Sequence, residues 1–264
     1  MSILGESIIL NTNSMINQFE ESEIPYGTLE RFGLTQEMIE DLPIDVLQNI
    51  YNGRLSPVLP IIIITTEDGE TETARTRFSL ERTPEGGVDV LFYPKLDEYD
   101  LNLFNEQQKQ RLLEGKAIIG YLESNEENKE AGGKRFFQID PESKQVLCVP
   151  MPVIGRNMQY VADRYHLTGA EMQKLQNGDA LSILNDDDEE ITMGIDLNSK
   201  TGIRFAAGDE QTWKREAKRE WDKYNFGAFG CWVAEDGDLD YVHEEDYSEE
   251  MWQEQKKVGM RFQR

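Results

Sequence analysis

In 264 residues the chain carries only two cysteines and two histidines, Cys148, Cys231, His166 and His243. So few, this scattered, cannot supply the ligand spacing of a structural zinc site, and there is no Cys-x-x-Cys pair. A catalytic triad needs a histidine oriented by an acid and facing a nucleophile. His166 stands in Asp163-Arg164-Tyr165-His166-Leu167 just before a helix, and His243 lies in an acidic stretch; both read as structural or surface residues. The cysteines fall singly in apolar or aromatic runs and are expected to be buried thiols of a reduced compartment. Long apolar runs are also missing. The longest, Val58 to Ile64, contains Pro60 and has the length of a strand, against roughly 20 residues for a membrane span. The first residues, Met1-Ser2-Ile3-Leu4-Gly5-Glu6, have no basic region and no long apolar one, so no secretory signal is expected. The expected address is the cytoplasm, away from membranes.

Basic charge is in short supply as well. Lys and Arg number 27 against 51 Asp and Glu, a formal net charge of -24. Such a surface repels phosphate backbones, so direct nucleic-acid binding is not expected. A basic protein partner fits the sign, as does mimicry of a nucleic acid; a solvated acidic face on a soluble protein accounts for it too. Hydrophobic residues at 38% and aromatics at 9% are enough for a packed core.

Motifs for cofactors and metals fail on inspection. Gly227-Ala228-Phe229-Gly230 lacks the Lys-Ser/Thr of a phosphate loop. Asp236, Asp238 and Asp240 alternate like calcium ligands, but Tyr241 and Tyr247 occupy the positions that need Gly and Glu. The run Asp186-Asp187-Asp188-Glu189-Glu190 reads as a solvated turn. No cofactor and no metal are expected, and no catalytic residue is singled out.

What is present is a repeating pattern. Gly53, Gly115 and Gly178 lie 62 and 63 residues apart, each following a helix-like stretch and each preceded three positions earlier by an apolar residue: Ile50, Leu112, Leu175. β-rich hairpins follow each glycine. Thr35 reads as an N-cap, Pro43 divides the helical stretch that ends at Asn52-Gly53, and Thr168 to Glu171 forms a capping box. Ile139-Asp140-Pro141-Glu142-Ser143-Lys144 and Ile195-Asp196-Leu197-Asn198-Ser199-Lys200 share Ile-Asp-x-x-Ser-Lys at the same place in two hairpins. Repetition on this scale indicates one supersecondary unit used several times.

The expected fold is α+β: three related helix-plus-antiparallel-hairpin units with a C-terminal helix and hairpin. The expected segments are an arm at 1–23, units at 24–100, 101–157 and 158–208, and a C-terminal element at 209–264. Trp213 to Lys223 reads as one basic helix and Phe226 to Val233 as one aromatic strand. The candidate interaction surface is Trp213, Lys214, Arg215, Lys218, Arg219, Trp221 and Trp232. Exposed Trp and Arg make good interface anchors; the same tryptophans would equally serve as core between helix and strand.

Several stretches also carry a family resemblance: Ile24 to Thr35, Asn52 to Pro60, Leu113 to Ile118, Pro152 to Asn157, Gly194 to Leu197 and Lys218 to Gly227. Over roughly residues 24–260 the chain resembles uncharacterised, domain-of-unknown-function proteins carried by conjugative and other mobile elements of gut anaerobes. The resemblance implies a mobile-element accessory protein and supplies no catalytic residues. The expected role is therefore a non-enzymatic acidic interaction protein with a protein partner, for which a basic protein fits the sign of the charge. Alternatives are an acidic nucleic-acid mimic that inhibits a host defence or restriction enzyme, and an enzyme with a carboxylate-based site.

Overall fold

The structure, a computed structural model, describes residues 19–64, 71–123, 132–199, 201–217, 221–235 and 238–261. The expected turn at Glu67 to Glu70, most of the Ser124 to Gly133 loop, the Asp236-Gly237 turn and most of the N-terminal arm lie outside them. The fold is α+β. Among the described residues there are four three-stranded antiparallel sheets, each a simple meander: β1 (Leu59–Ile64) to β3 (Val88–Pro94) around β2 (Thr71–Arg82), β4 (Ile118–Leu122) to β6 (Val146–Pro150) around β5 (Gly133–Ile139), β7 (Leu181–Leu184) to β9 (Ile203–Ala207) around β8 (Glu190–Ile195), and β10 (Tyr224–Phe226) to β12 (Asp238–His243) around β11 (Gly230–Glu235). The helices are α1 (Tyr26–Glu30), α2 (Gln36–Glu40), α3 (Ile44–Tyr51), α4 (Glu106–Leu113), α5 (Met151–Tyr165), α6 (Gly169–Gln176), α7 (Glu210–Glu216) and α8 (Glu249–Arg261). No helix among the described residues is long and apolar enough to cross a membrane.

The three repeated glycines share one local geometry. They end α3, α4 and α6 with φ of 73°, 77° and 75°. Each glycine N–H donates to the carbonyl three residues back, that of Ile50, Leu112 or Leu175, at 2.8, 2.9 and 2.8 Å. The following N–H, of Arg54, Lys116 or Asp179, donates five residues back to Asn49, Arg111 or Lys174. This is the Schellman pairing, which satisfies carbonyls left open at a helix end and needs the left-handed conformation that glycine adopts without strain. The apolar residue at the helix end is buried in all three: Ile50, Leu112 and Leu175 are 0–1% exposed. Starts are equally local. Asn105 and Thr168 cap α4 and α6 with reciprocal capping boxes, while α3 opens behind Pro43, whose missing N–H costs nothing there.

Two compact units arise. The first comprises Met1–Lys95 with Trp221–Arg264, the second Leu96–Glu220. The first is built on α1–α3, β1–β3 and β10–β12, with a core that includes Leu29, Leu34, Ile39, Phe78, Trp232 and Leu239. Cys231, Tyr247 and Met251 form a smaller cluster under α8. The second unit packs β4–β6 and β7–β9 with α5 and α6 around Phe136, Ile154, Met158 and Met193. Within it the two glycine motifs meet. A Cβ on Gly178 would lie 2.0 Å from the Ala117 carbonyl oxygen, and Arg111 of α4 donates to the Asn177 carbonyl at the end of α6. Gln138 joins the two hairpins, donating to Gly115 and Ile195 carbonyls and accepting from the Leu197 N–H at 2.8 Å. The matched Ile-Asp turns are also alike: Asp140 and Asp196 each accept from the backbone N–H two residues on.

Several details differ from expectation. The junction at 157/158 lies inside α5, a helix whose Ile154, Met158, Val161 and Ala162 stripe is buried. The aromatic strand is two strands, because the chain reverses at Gly227 to Phe229 and pairs Phe226 with Cys231. The basic helix is short: Asp209 caps it and it ends at Glu216. The residues 209–264 divide between the two compact units. Cys148 is exposed on β6, where the outward phase of the strand carries it, while Cys231 is buried.

Candidate functional site

The expected interface residues do not assemble on one helix. Trp213, Lys214 and Arg215 lie on α7; Lys218 and Arg219 fall outside the described residues; Trp221 follows the helix and packs on the core of the first unit. Trp232 is a correction. It is fully buried, and its indole N–H donates to the Met38 carbonyl at 2.9 Å, so it is core and not surface. Trp213 is half-buried: its indole N–H donates to the Arg204 carbonyl and the Arg204 guanidinium stacks on its ring at 4.0 Å. Lys214 is exposed and pairs with Glu210 one turn back, a contact of the kind that contributes little.

A different feature lies in the first unit. An open cleft of about 480 Å³ is lined by Glu20, Glu21, Ser22, Tyr26, Gln36 and Glu40. Three of these six side chains are carboxylates and none is basic. Its floor is positioned by two short elements. Pro25 opens α1 and sets Tyr26 on its first turn, and Thr35 caps α2, which carries Gln36 and Glu40 one turn apart. The Gln36 amide donates to Glu40 Oε1 at 2.6 Å and so orients that carboxylate.

The rim is fastened from outside the cleft. Glu23 accepts the Glu20 N–H at 2.9 Å and receives Arg82 in a two-pronged pair at 2.6 and 2.8 Å. The Arg82 bond first, then the Glu20 N–H, holds the Glu23 carboxyl down at about 2. Tyr26 packs on the core, and its hydroxyl oxygen is buried without a hydrogen-bond partner. Burial first, then Tyr51, Glu40 and Glu21, push that hydroxyl up to about 12. Burial and the same two carboxylates also raise Tyr51. The cleft is thus anionic, and holds a polar atom whose bond is unmade. A buried unmet polar group costs about 1–3 kcal/mol.

Asp186 to Glu190 is a turn organised by Asn185, whose side chain accepts from Asp187 and Glu189 N–H groups. No group of three or more His, Cys, Asp or Glu side chains among the described residues is arranged to hold a metal ion. His166 is the exposed C-cap of α5, and His243 is exposed at the end of β12. Sequence reasoning placed Glu20 and Glu21 on an arm and passed over Tyr26 as part of the cleft; the acidic run ahead of Ile24-Pro25-Tyr26 was the available signal.

No curated protein and no solved structure matches the chain. Residues 19–104, which contain the whole cleft, match a family model described as a protein of unknown function (DUF4099), so this part of the chain is similar to an uncharacterised domain family.

Proposed function

We propose that this is a non-enzymatic, acidic interaction protein that binds a protein partner through a basic segment, and that the cleft beneath Tyr26 receives a cationic side chain of that partner. The observation that carries this reading is the combination of Glu20, Glu21 and Glu40 with the buried, unpartnered Tyr26 hydroxyl. An ammonium or guanidinium placed there would meet carboxylates on several sides and could give the hydroxyl a donor. The net charge of -24 would steer a basic partner toward the protein from a distance. The proposal includes a cytoplasmic setting, to which a chain with only two cysteines, not joined in a disulfide, is suited. It also includes the role of accessory protein of a mobile genetic element, which rests on the sequence resemblance.

Affinity capture from the native host tests it, with wild type beside the double variant Glu21→Gln/Glu40→Gln, at low and high salt. The expected result is a Lys- and Arg-rich protein retained by wild type at low salt and lost by the variant and by high salt. Capture that is identical for both proteins would overturn the cleft as the site. A captured nuclease displaced by duplex DNA would instead support the nucleic-acid mimic.

A further inference from the structure

The first unit is assembled from two stretches of chain separated by the whole of the second. Its core does not close with the first stretch alone. Trp232 fills the space among Leu29, Leu34 and Ile39 and bonds to the Met38 carbonyl, and Leu239 lies in the same cluster. Asp41 is 4% exposed. Its carboxylate accepts from the Ala228 and Phe229 N–H groups at 2.5 and 3.0 Å and from the Tyr241 hydroxyl at 2.5 Å, all on the second stretch. Gly227 is shaped to this contact, since a Cβ there would stand 2.1 Å from Asp41 Cγ. Arg75 donates to the Leu239 carbonyl and pairs with Asp240, and Lys95 pairs with Asp238. Removing the second stretch would leave a buried carboxylate without its donors and a cavity the size of an indole.

We infer that residues 221–264 are the second half of the domain whose first half, through residue 95, carries most of the family match, and that residues 96–220 are an insertion the domain does not need in order to stay assembled. Met38, Asp41 and Arg75 form a receptor face, and the meander carrying Gly227, Trp232 and Leu239 is its ligand. The pairing survives loss of the covalent path through the insertion, because the contacts of Trp232 with Met38, of Asp41 with Ala228, Phe229 and Tyr241, and of Arg75 and Lys95 with Asp240 and Asp238 run directly between the two stretches. It also follows that the matched segment cut at residue 104 is not a complete folding unit.

The test uses the full chain with protease sites inserted at the two junctions, Lys95/Leu96 and Glu220/Trp221, and a tag at the N-terminus. After folding and cleavage, the 221–264 fragment is expected to stay with the tagged 1–95 fragment on an affinity resin. Release of 221–264 from the cut wild-type protein would overturn the inference. To separate retention through the receptor face from retention by other means, Asp41→Ala and Trp232→Phe are cut in parallel. Each is expected to release 221–264 about ten-fold faster. Should Asp41→Ala not fold, Trp232→Phe, which keeps an aromatic ring, still decides. Retention unchanged by Trp232→Phe and by any folded Asp41→Ala protein would overturn the proposed face.

Discussion

Gly194 and Trp213 share a single space: a Cβ on Gly194 would fall 2.6 Å from Cζ2 of the Trp213 ring. Gly194 is paired directly across the sheet with Arg204, and the indole lies over both, stacked on the guanidinium and bonded to the Arg204 carbonyl. The aromatic ring thus covers a strand glycine that would otherwise leave a gap in the sheet face. Gly194→Ala is expected to push the ring off and to destabilise the protein by roughly 1–3 kcal/mol, the range for overpacking. Tryptophan emission should shift to the red, and Trp213→Phe should remove that shift. An unchanged spectrum in Gly194→Ala would show that the ring does not depend on the glycine.

Gly115 and Gly178 do the same job at helix ends yet should not respond alike. Both have positive φ, so alanine is strained at each by about 1–2 kcal/mol. At Gly115 an added Cβ meets nothing within 4 Å, whereas at Gly178 it meets the Ala117 carbonyl at 2.0 Å. Gly178→Ala should therefore be the more damaging, by a further ~1–3 kcal/mol of forced backbone movement. Denaturant midpoints of the two single variants check this. Equal losses would mean that the Ala117 contact yields freely.

That pair also shows what the sequence could and could not disclose. A glycine stop, an N-cap and a capping box act over five residues or fewer, so the ends of α3, α4 and α6 were readable from Gly53, Gly115, Gly178 and Thr168. The identity of Trp232 was not: a tryptophan in an aromatic strand serves core and interface equally, and its burial follows from helices far away in the chain. The break between β10 and β11 was invisible for the same reason. The carboxylate that holds the turn, Asp41, stands 187 residues from Ala228. Helix α5 is written in its Ile154, Met158, Val161 spacing, and Pro152, which stands against a helix interior, suits the first turn where it falls. The cleft depended on packing α1 against α2, which no local pattern states.

Acid should act through the rim of the cleft. Glu23 titrates at about 2 in the folded protein, against an ordinary 4.5. A lowered carboxyl pKa contributes stability that is fully present above the unfolded value and is lost as pH falls through the folded one. The advantage of wild type over Glu23→Gln should thus be constant above about pH 5 and vanish as pH falls from 4.5 toward 2. Urea midpoints of both proteins across that window give the answer. A gap that persists unchanged at pH 2 would remove ionisation of Glu23 as its cause.

Alkali should act through Tyr26 with the opposite sign. Its hydroxyl is raised from 10.0 to about 12, chiefly by burial, so the fold favours the neutral phenol. That preference stabilises the protein below pH 10 and is lost as pH rises from 10 toward 12. In an ultraviolet difference titration of wild type against Tyr26→Phe, the missing phenol should ionise near 12. Glu21→Gln/Glu40→Gln should lower that transition only in part, because two carboxylates are removed while the burial that dominates remains. A transition at 10 in the wild-type difference would show that Tyr26 is open to water, and the unmet hydroxyl on which the proposed cleft site rests would then be satisfied by solvent.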